Sequence, residues 1–240
     1  PTISSESDLD SVDVGESVTL SASETPNKSD QIPISGFSWD TDSDGVNDVN
    51  GLTTEKSWPE PGNYSVRLSV TSTDSRSAST TRTIAVSDMS PPSVTMSPSG
   101  QITKGFGEEM SVSASFTDNW GVESIDWLFD GSIVLSNYSI SEPTSTLSIQ
   151  VSDDYSAGEH VASIIVTDKS GISTRQDVTV IFMDVSAPVI SPYEAQIEVE
   201  SGDPTILQVF AQDNQSEGLD YTWTFEQGTE NEIQFSGPQV

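Results

Sequence analysis

The chain has 240 residues, 38 of them acidic and 8 basic, for a formal net charge of −30, and it contains no cysteine. Such a charge repels nucleic acid and anionic membranes, and the absence of thiols excludes disulfides, thiolate metal sites and a cysteine nucleophile. The hydrophobic fraction is 33%, no apolar run reaches the roughly 18 residues of a membrane-spanning helix, and the length suits two or three all-β domains of about 100 residues.

The first predicted strand is Gly15-Glu16-Ser17-Val18-Thr19-Leu20-Ser21-Ala22, where apolar and hydroxyl residues alternate with the period of two that marks a half-buried strand. Gly36-Phe37-Ser38-Trp39-Asp40 follows. Next comes Pro61-Gly62-Asn63-Tyr64-Ser65-Val66-Arg67-Leu68-Ser69-Val70, a turn running into an alternating strand, and then a closing strand, Thr83-Ile84-Ala85-Val86. The same order returns: Gly107-Glu108-Glu109-Met110-Ser111-Val112-Ser113-Ala114, the tryptophan strand Ser124-Ile125-Asp126-Trp127-Leu128, a second turn and strand at 157–166, and a closing strand at 177–182. A third round begins at Ser201-Gly202-Asp203-Pro204, reaches Asp220-Tyr221-Thr222-Trp223-Thr224 and a strand at Glu232-Ile233-Gln234-Phe235, and stops at Val240 without the turn-plus-strand signature. Asp88-Met89-Ser90-Pro91-Pro92 and Asp184-Val185-Ser186-Ala187-Pro188 repeat one linker form, in which proline stiffens the connection.

A repeat of this kind decides the architecture. The predicted fold class is all-β, with tandem immunoglobulin-like antiparallel β-sandwiches at 1–89 and 90–185 and an incomplete one at 186–240. Trp39, Trp127 and Trp223 are expected to plug the three cores from the third strand, and Tyr64 falls where a tyrosine corner would stand. His160, the single histidine, takes the place equivalent to Tyr64 and is expected to be semi-buried and satisfied. The third segment reads as a piece of a longer array, or as one completed by a strand from a neighbouring copy, because an open edge pairs with whatever is available.

Residues 1–89 resemble a PKD (polycystic kidney disease) repeat. The resemblance is carried by Val14-Gly15-Glu16, by Trp39-Asp40 and by Trp58-Pro59-Glu60-Pro61-Gly62-Asn63-Tyr64-Ser65-Val66, which is similar to the family's aromatic-x-x-Pro-Gly-x-Tyr-x-Val run. The family's Gly-Asp-Gly is replaced here by Thr41-Asp42-Ser43-Asp44-Gly45. Residues 90–185 are similar to bacterial and archaeal immunoglobulin-like surface repeats, through Asp118-Asn119-Trp120-Gly121-Val122 and Asp130-Gly131. The resemblance implies a non-catalytic, extracellular or cell-surface array serving as stalk, spacer, surface-layer or filament component. Its implied partners are other surface or filament proteins, neighbouring copies of itself, or polysaccharide, with no nucleic acid and no membrane insertion by this segment. The alternative it leaves open is an accessory substrate- or carbohydrate-binding module of a secreted hydrolase.

The sharpest chemical signal is Asp40-Thr41-Asp42-Ser43-Asp44-Gly45-Val46-Asn47-Asp48. Carboxylates at alternate positions around a glycine turn match a calcium loop, because Ca²⁺ takes six to eight hard oxygens. The expected ligands are Asp40, Asp42, Asp44, the Val46 carbonyl and Asp48, and the expected role of the Ca²⁺ is structural. The bidentate glutamate of a full EF-hand loop is missing, since Gly51 stands there. Asp88, Asp118, Asp168, Asp184 and Asp213 lie near predicted domain ends and read as solvated loop carboxylates. Trp120, in a loop, is a candidate exposed ring for a sugar. Asn27, Asn63, Asn137 and Asn214 open glycosylation sequons. A lone histidine and no Gly-x-Ser-x-Gly elbow leave no recognisable nucleophile, and carboxylate pairs at glycosidase spacing arise by chance among so many acids.

Overall fold

A computed structural model describes residues 1–26, 33–191, 206–213, 219–228 and 230–238, with Gly202 and Pro204. Among the described residues regular structure is entirely β. The strands β1 (Val12–Asp13), β2 (Val18–Ser21), β3 (Ile34–Asp40), β4 (Val49–Asn50), β5 (Thr53–Lys56), β6 (Gly62–Ser72) and β7 (Ser77–Ser87) build the first sandwich. One sheet runs in the order β1-β7-β6-β3-β4 and the other pairs β2 with β5. The period-two alternation puts Val66, Leu68 and Val70 of β6 and Val18 and Leu20 of β2 into one core with Trp39, Trp58 and Ile84. Each such aliphatic side chain contributes about 1.5–3 kcal/mol on full burial. Trp39 is completely buried, and its indole N–H donates to the Gly51 carbonyl at 3.0 Å.

The second sandwich has β8 (Ser93–Ser97), β9 (Ile102–Gly105), β10 (Glu109–Thr117), β11 (Val122–Phe129), β12 (Ser132–Asn137), β13 (Thr144–Gln150), β14 (Gly158–Asp168) and β15 (Ser173–Met183), in sheets β13-β10-β8 and β12-β11-β14-β15-β9. Met110, Val112, Ala114 and Phe116 of β10 alternate strictly with exposed residues. Trp127 is fully buried and donates to Ser145 Oγ at 3.0 Å.

The two sandwiches share details down to single bonds. β1 lies parallel to β7, pairing Val12 with Val86, and β9 lies parallel to β15, pairing Ile102 with Val180. The repeated Gly-Glu opening has a physical reason. Gly15 and Gly107 take positive φ (78° and 87°), and their amides donate to Trp58 and Val151 carbonyls at 2.8 Å. Glu16 then reaches back to accept the Asp13 amide, and Glu108 the Gly105 amide.

In the third segment β16 (Val189–Ile190) pairs with β17 (Ala211–Gln212), and β18 (Thr222–Phe225) with β19 (Ile233–Ser236). Here Trp223 departs from the expected core role. It is only half-buried, although its indole N–H still donates to the Gly237 carbonyl at 2.9 Å. Among the described residues, Phe235, its cross-strand partner, and Ile190, which lines the same cleft, are exposed. The strand expected at 201–209 lies partly outside the described residues.

By packing, the chain divides into two compact units, Pro1–Met96 with Ser113–Ser145 and Ser163–Asp177, and Ser97–Val112 with Thr146–Ala162 and Val178–Val240. This division differs from the repeat boundaries because β10, β13, β14 and β15 are long enough to contribute residues to both units.

Candidate cation sites

The predicted calcium loop joins β3 to β4. Asp40, the last residue of β3, is 2% exposed. Its Oδ1 accepts the Ser43 amide at 2.8 Å, its Oδ2 accepts the Gly45 amide at 3.2 Å, and the Arg67 guanidinium stands 3.2 Å from Oδ2. Arg67 also donates to the Gly45 carbonyl at 3.0 Å. The loop closes with Ser43 and Gly45 at φ of 64° and 90°. Asp42 Oδ1 accepts the Asp44 amide and Asp44 Oδ1 the Val46 amide. Asp48 Oδ2 accepts the amide and the hydroxyl of Thr41 at 2.7 and 2.8 Å, and these bonds hold its carboxyl below the usual carboxylate range.

One carboxylate oxygen from each of Asp40, Asp42 and Asp48 lies within 4.8 Å of the others. Asp44 stands outside this group, and Val46 is 64% exposed. Of the five expected ligands, the fold thus gathers three.

A second group, less legible in the sequence, joins Asp88, Asp118 and Asp168, again with carboxylate oxygens within 4.8 Å of one another. All three lie in the first compact unit. Asp88 follows β7, Asp118 follows β10, and Asp168 ends β14. Each closes a turn: Asp88 Oδ1 accepts the Ser90 amide, Asp118 Oδ2 the amides of Trp120 and Gly121, and Asp168 Oδ1 those of Ser170 and Ile172. The reading of Asp88 and Asp168 as solvated is corrected, since they are 7% and 1% exposed. Asp118 Oδ1 and Asp168 Oδ2 are buried without a hydrogen-bond partner. Two unit charges about 5 Å apart repel by roughly 3 kcal/mol at an effective dielectric near 20. Among the described residues these are the two carboxylate groups gathered this closely.

The first of these loops lies in a segment that resembles a known family. Residues 1–87 match the PKD domain. No curated protein matches the chain. Among solved structures, the fibronectin(III)-like modules of Clostridium thermocellum CbhA align at 16% identity over 76% of this chain and 95% of that one, with a TM-score of 0.35. Three immunoglobulin domains of titin align at 12% identity over 96% and 81%, with a TM-score of 0.44. Three N-terminal domains of the outer capsid protein Hoc of bacteriophage RB49 align at 13% identity over 98% and 80%, with a TM-score of 0.32.

The PKD-matched sandwich contains both the Trp39-Asp40 strand end and the Pro61-Gly62 run that carried the resemblance. Tyr64 does form the expected corner, its hydroxyl donating to the Glu60 carbonyl at 2.8 Å beside Trp58. His160 reproduces that bond, with Nε2 2.9 Å from the Ser156 carbonyl, and is buried against Phe182. Trp120 is not a free ring. It is half-buried, packs against the core of the PKD-matched sandwich, and carries the Lys169 ammonium 5.8 Å from its centroid. Its neighbour Asn119 donates to Asp13 Oδ1 and the Val14 carbonyl. Asn63 and Asn137 are exposed, while Asn27 and Asn214 lie outside the described residues. A signal for the second acidic group does exist in the sequence: Asp118-Asn119-Trp120-Gly121 and Asp168-Lys169-Ser170-Gly171 are both aspartate-led turns, and the linker supplies Asp88.

Proposed function

We propose that this chain is a non-catalytic structural or adhesive segment of an extracellular or cell-surface protein, in which a calcium ion stiffens the PKD-matched sandwich through Asp40, Asp42 and Asp48. PKD repeats are typically extracellular, non-catalytic modules, and residues 1–87 match that family. The observation that carries the calcium reading is the convergence of three carboxylates on one tight turn at the end of β3. Water and loop carbonyls complete the six to eight oxygens that Ca²⁺ takes. Such an ion pins the β3–β4 loop and transmits no signal. Its partners are other surface or filament proteins or further copies of the chain. The occupied faces of Trp120 weigh against the polysaccharide-binding alternative.

Scanning calorimetry in EDTA and in ~10 mM CaCl2 tests the reading. For a Kd near ~10⁻⁴ M, mass action adds about 2.7 kcal/mol, which raises the midpoint of a domain this size by roughly 10–20 °C. The shift is lost in Asp42→Asn/Asp48→Asn. A double variant with the same calcium response as the parent rules the loop out as the binding site.

A further inference from the structure

We propose that Asp88, Asp118 and Asp168 form a second site for a hard divalent cation, suited to calcium, that fastens the end of the PKD-matched sandwich to the 118–121 and 168–172 turns. This group differs from the Asp40–Asp48 loop in its charge balance. In that loop the deepest carboxylate already has a cation, Arg67. In the second group no ion pair links any of the three aspartates to a basic residue among the described residues, and Lys169, next in sequence to Asp168, is turned over the Trp120 ring.

A buried carboxylate is retained when it is paired, hydrogen-bonded or bound to a metal. Hydrogen bonds account for four of the six carboxylate oxygens in this group. One oxygen of each aspartate is spent on turn amides, and Asp88 Oδ2 accepts the Ser170 hydroxyl at 2.8 Å. The remaining oxygens of Asp118 and Asp168 are buried and accept nothing. Asp168 is 99% buried by its 1% exposure, so water does not serve it freely. Turn amides fix each carboxylate's orientation in advance, as outer hydrogen bonds orient the ligands of a metal. What remains is a set of oxygen donors bearing three negative charges, with no sulfur or imidazole. That chemistry suits a hard cation, and an irregular set drawn from three separate turns suits the flexible coordination of Ca²⁺ better than the strict octahedron of Mg²⁺.

The test uses the full chain. Calorimetric titration with CaCl2 is run on the parent, on Asp118→Asn/Asp168→Asn and on Asp42→Asn/Asp48→Asn. An amide oxygen preserves the turn bonds while removing the charge. The expected result is the loss of one binding event, with at least a tenfold weaker affinity, in Asp118→Asn/Asp168→Asn, and its retention in Asp42→Asn/Asp48→Asn. Equal stoichiometry and affinity in Asp118→Asn/Asp168→Asn and the parent overturn the proposal. Because that variant could fail to fold, Mn²⁺ is also added below stoichiometry to the unaltered, isotope-labelled protein. Selective NMR broadening of the Gly121, Ser170 and Ile172 amides supports the site. Broadening confined to residues 40–48, or none, refutes it while leaving the loop reading to stand or fall on its own variant.

Discussion

Arg67 and a calcium ion would compete for the same carboxylate, and that competition can be measured. The guanidinium lies 3.2 Å from Asp40 Oδ2, with the aspartate side chain 3% exposed and the arginine 37% exposed. Arg67→Met keeps the aliphatic stem over the sheet and leaves the buried carboxylate with the Ser43 and Gly45 amides alone. A charge-assisted hydrogen bond is worth about 1.5–3 kcal/mol. Solvent screening at the exposed end of the arginine brings this to about 1–2 kcal/mol. Thermal unfolding in EDTA should therefore fall by roughly 5–15 °C for the PKD-matched sandwich. In ~10 mM CaCl2 the loss should shrink to less than half, because the ion replaces the missing charge, and the calcium Kd should tighten by up to about tenfold. Equal losses in EDTA and calcium would show that no cation shares Asp40 with Arg67. No loss in EDTA would show that the ion pair contributes nothing to begin with.

Two further predictions concern the contacts around residues 118–121. Partial burial pushes the Asp13 carboxyl up, but bonds from the Ser90 hydroxyl, the Met89 and Val14 amides and the Asn119 side chain outweigh it, so the group sits below its ordinary 3.8. A depressed folded-state value contributes stability that is present above about pH 4 and lost as pH falls through the folded value. Acid-unfolding curves of Asp13→Asn should accordingly be flatter below pH 4 than the parent's, and identical slopes would refute the assignment. Trp120→Ala should destabilise by about 1–2 kcal/mol in urea unfolding, in keeping with a half-buried ring, and leave any retention on polysaccharide columns unchanged; retention lost with an unaltered urea midpoint would restore the sugar-platform reading.

The strands were legible because alternation is local. β2, β6, β10 and β14 announce themselves over eight or nine residues, and the tryptophans mark where a large ring must enter the core. β1 and β9 were not, since a strand as short as Val12–Asp13 has no period to read, and its partner Val86 lies far along the chain. The Asp40–Asp48 loop was legible as a motif, but not Arg67 beside it, which enters from the middle of β6 by sheet register: Asp40 pairs directly with Arg67. The Asp88–Asp118–Asp168 group was legible as separate aspartate-led turns but not as a group, for a similar reason. Each aspartate alone looks like a solvated turn residue, and only the topology, which brings the end of β7, the end of β10 and the end of β14 together, makes them neighbours. Trp223 shows the converse limit. Its motif matches Trp39 and Trp127, yet among the described residues the ring is only half-buried, because a motif reports where a ring points and not how deeply it is covered.

The corner residues Tyr64 and His160 show how a sequence departure can conserve a bond. In both sandwiches a ring at the start of a long strand reaches the carbonyl four residues upstream, Glu60 in one and Ser156 in the other. Tyrosine does this beside Trp58, at a centroid distance of 5.6 Å, and histidine does it against Phe182 at 4.6 Å. If the bond to the upstream carbonyl is what selection holds fixed, its removal should cost more than exchange of the ring. Tyr64→Phe should then cost about 1 kcal/mol, the net worth of one hydrogen bond. In the second sandwich, His160→Phe should be less stable than His160→Tyr by a similar amount, although both fill the site with a ring. The difference is read from urea unfolding followed by tryptophan fluorescence. If His160→Phe and His160→Tyr unfold at the same midpoint, the second corner is held by packing against Phe182 alone, and the shared hydrogen bond is incidental there.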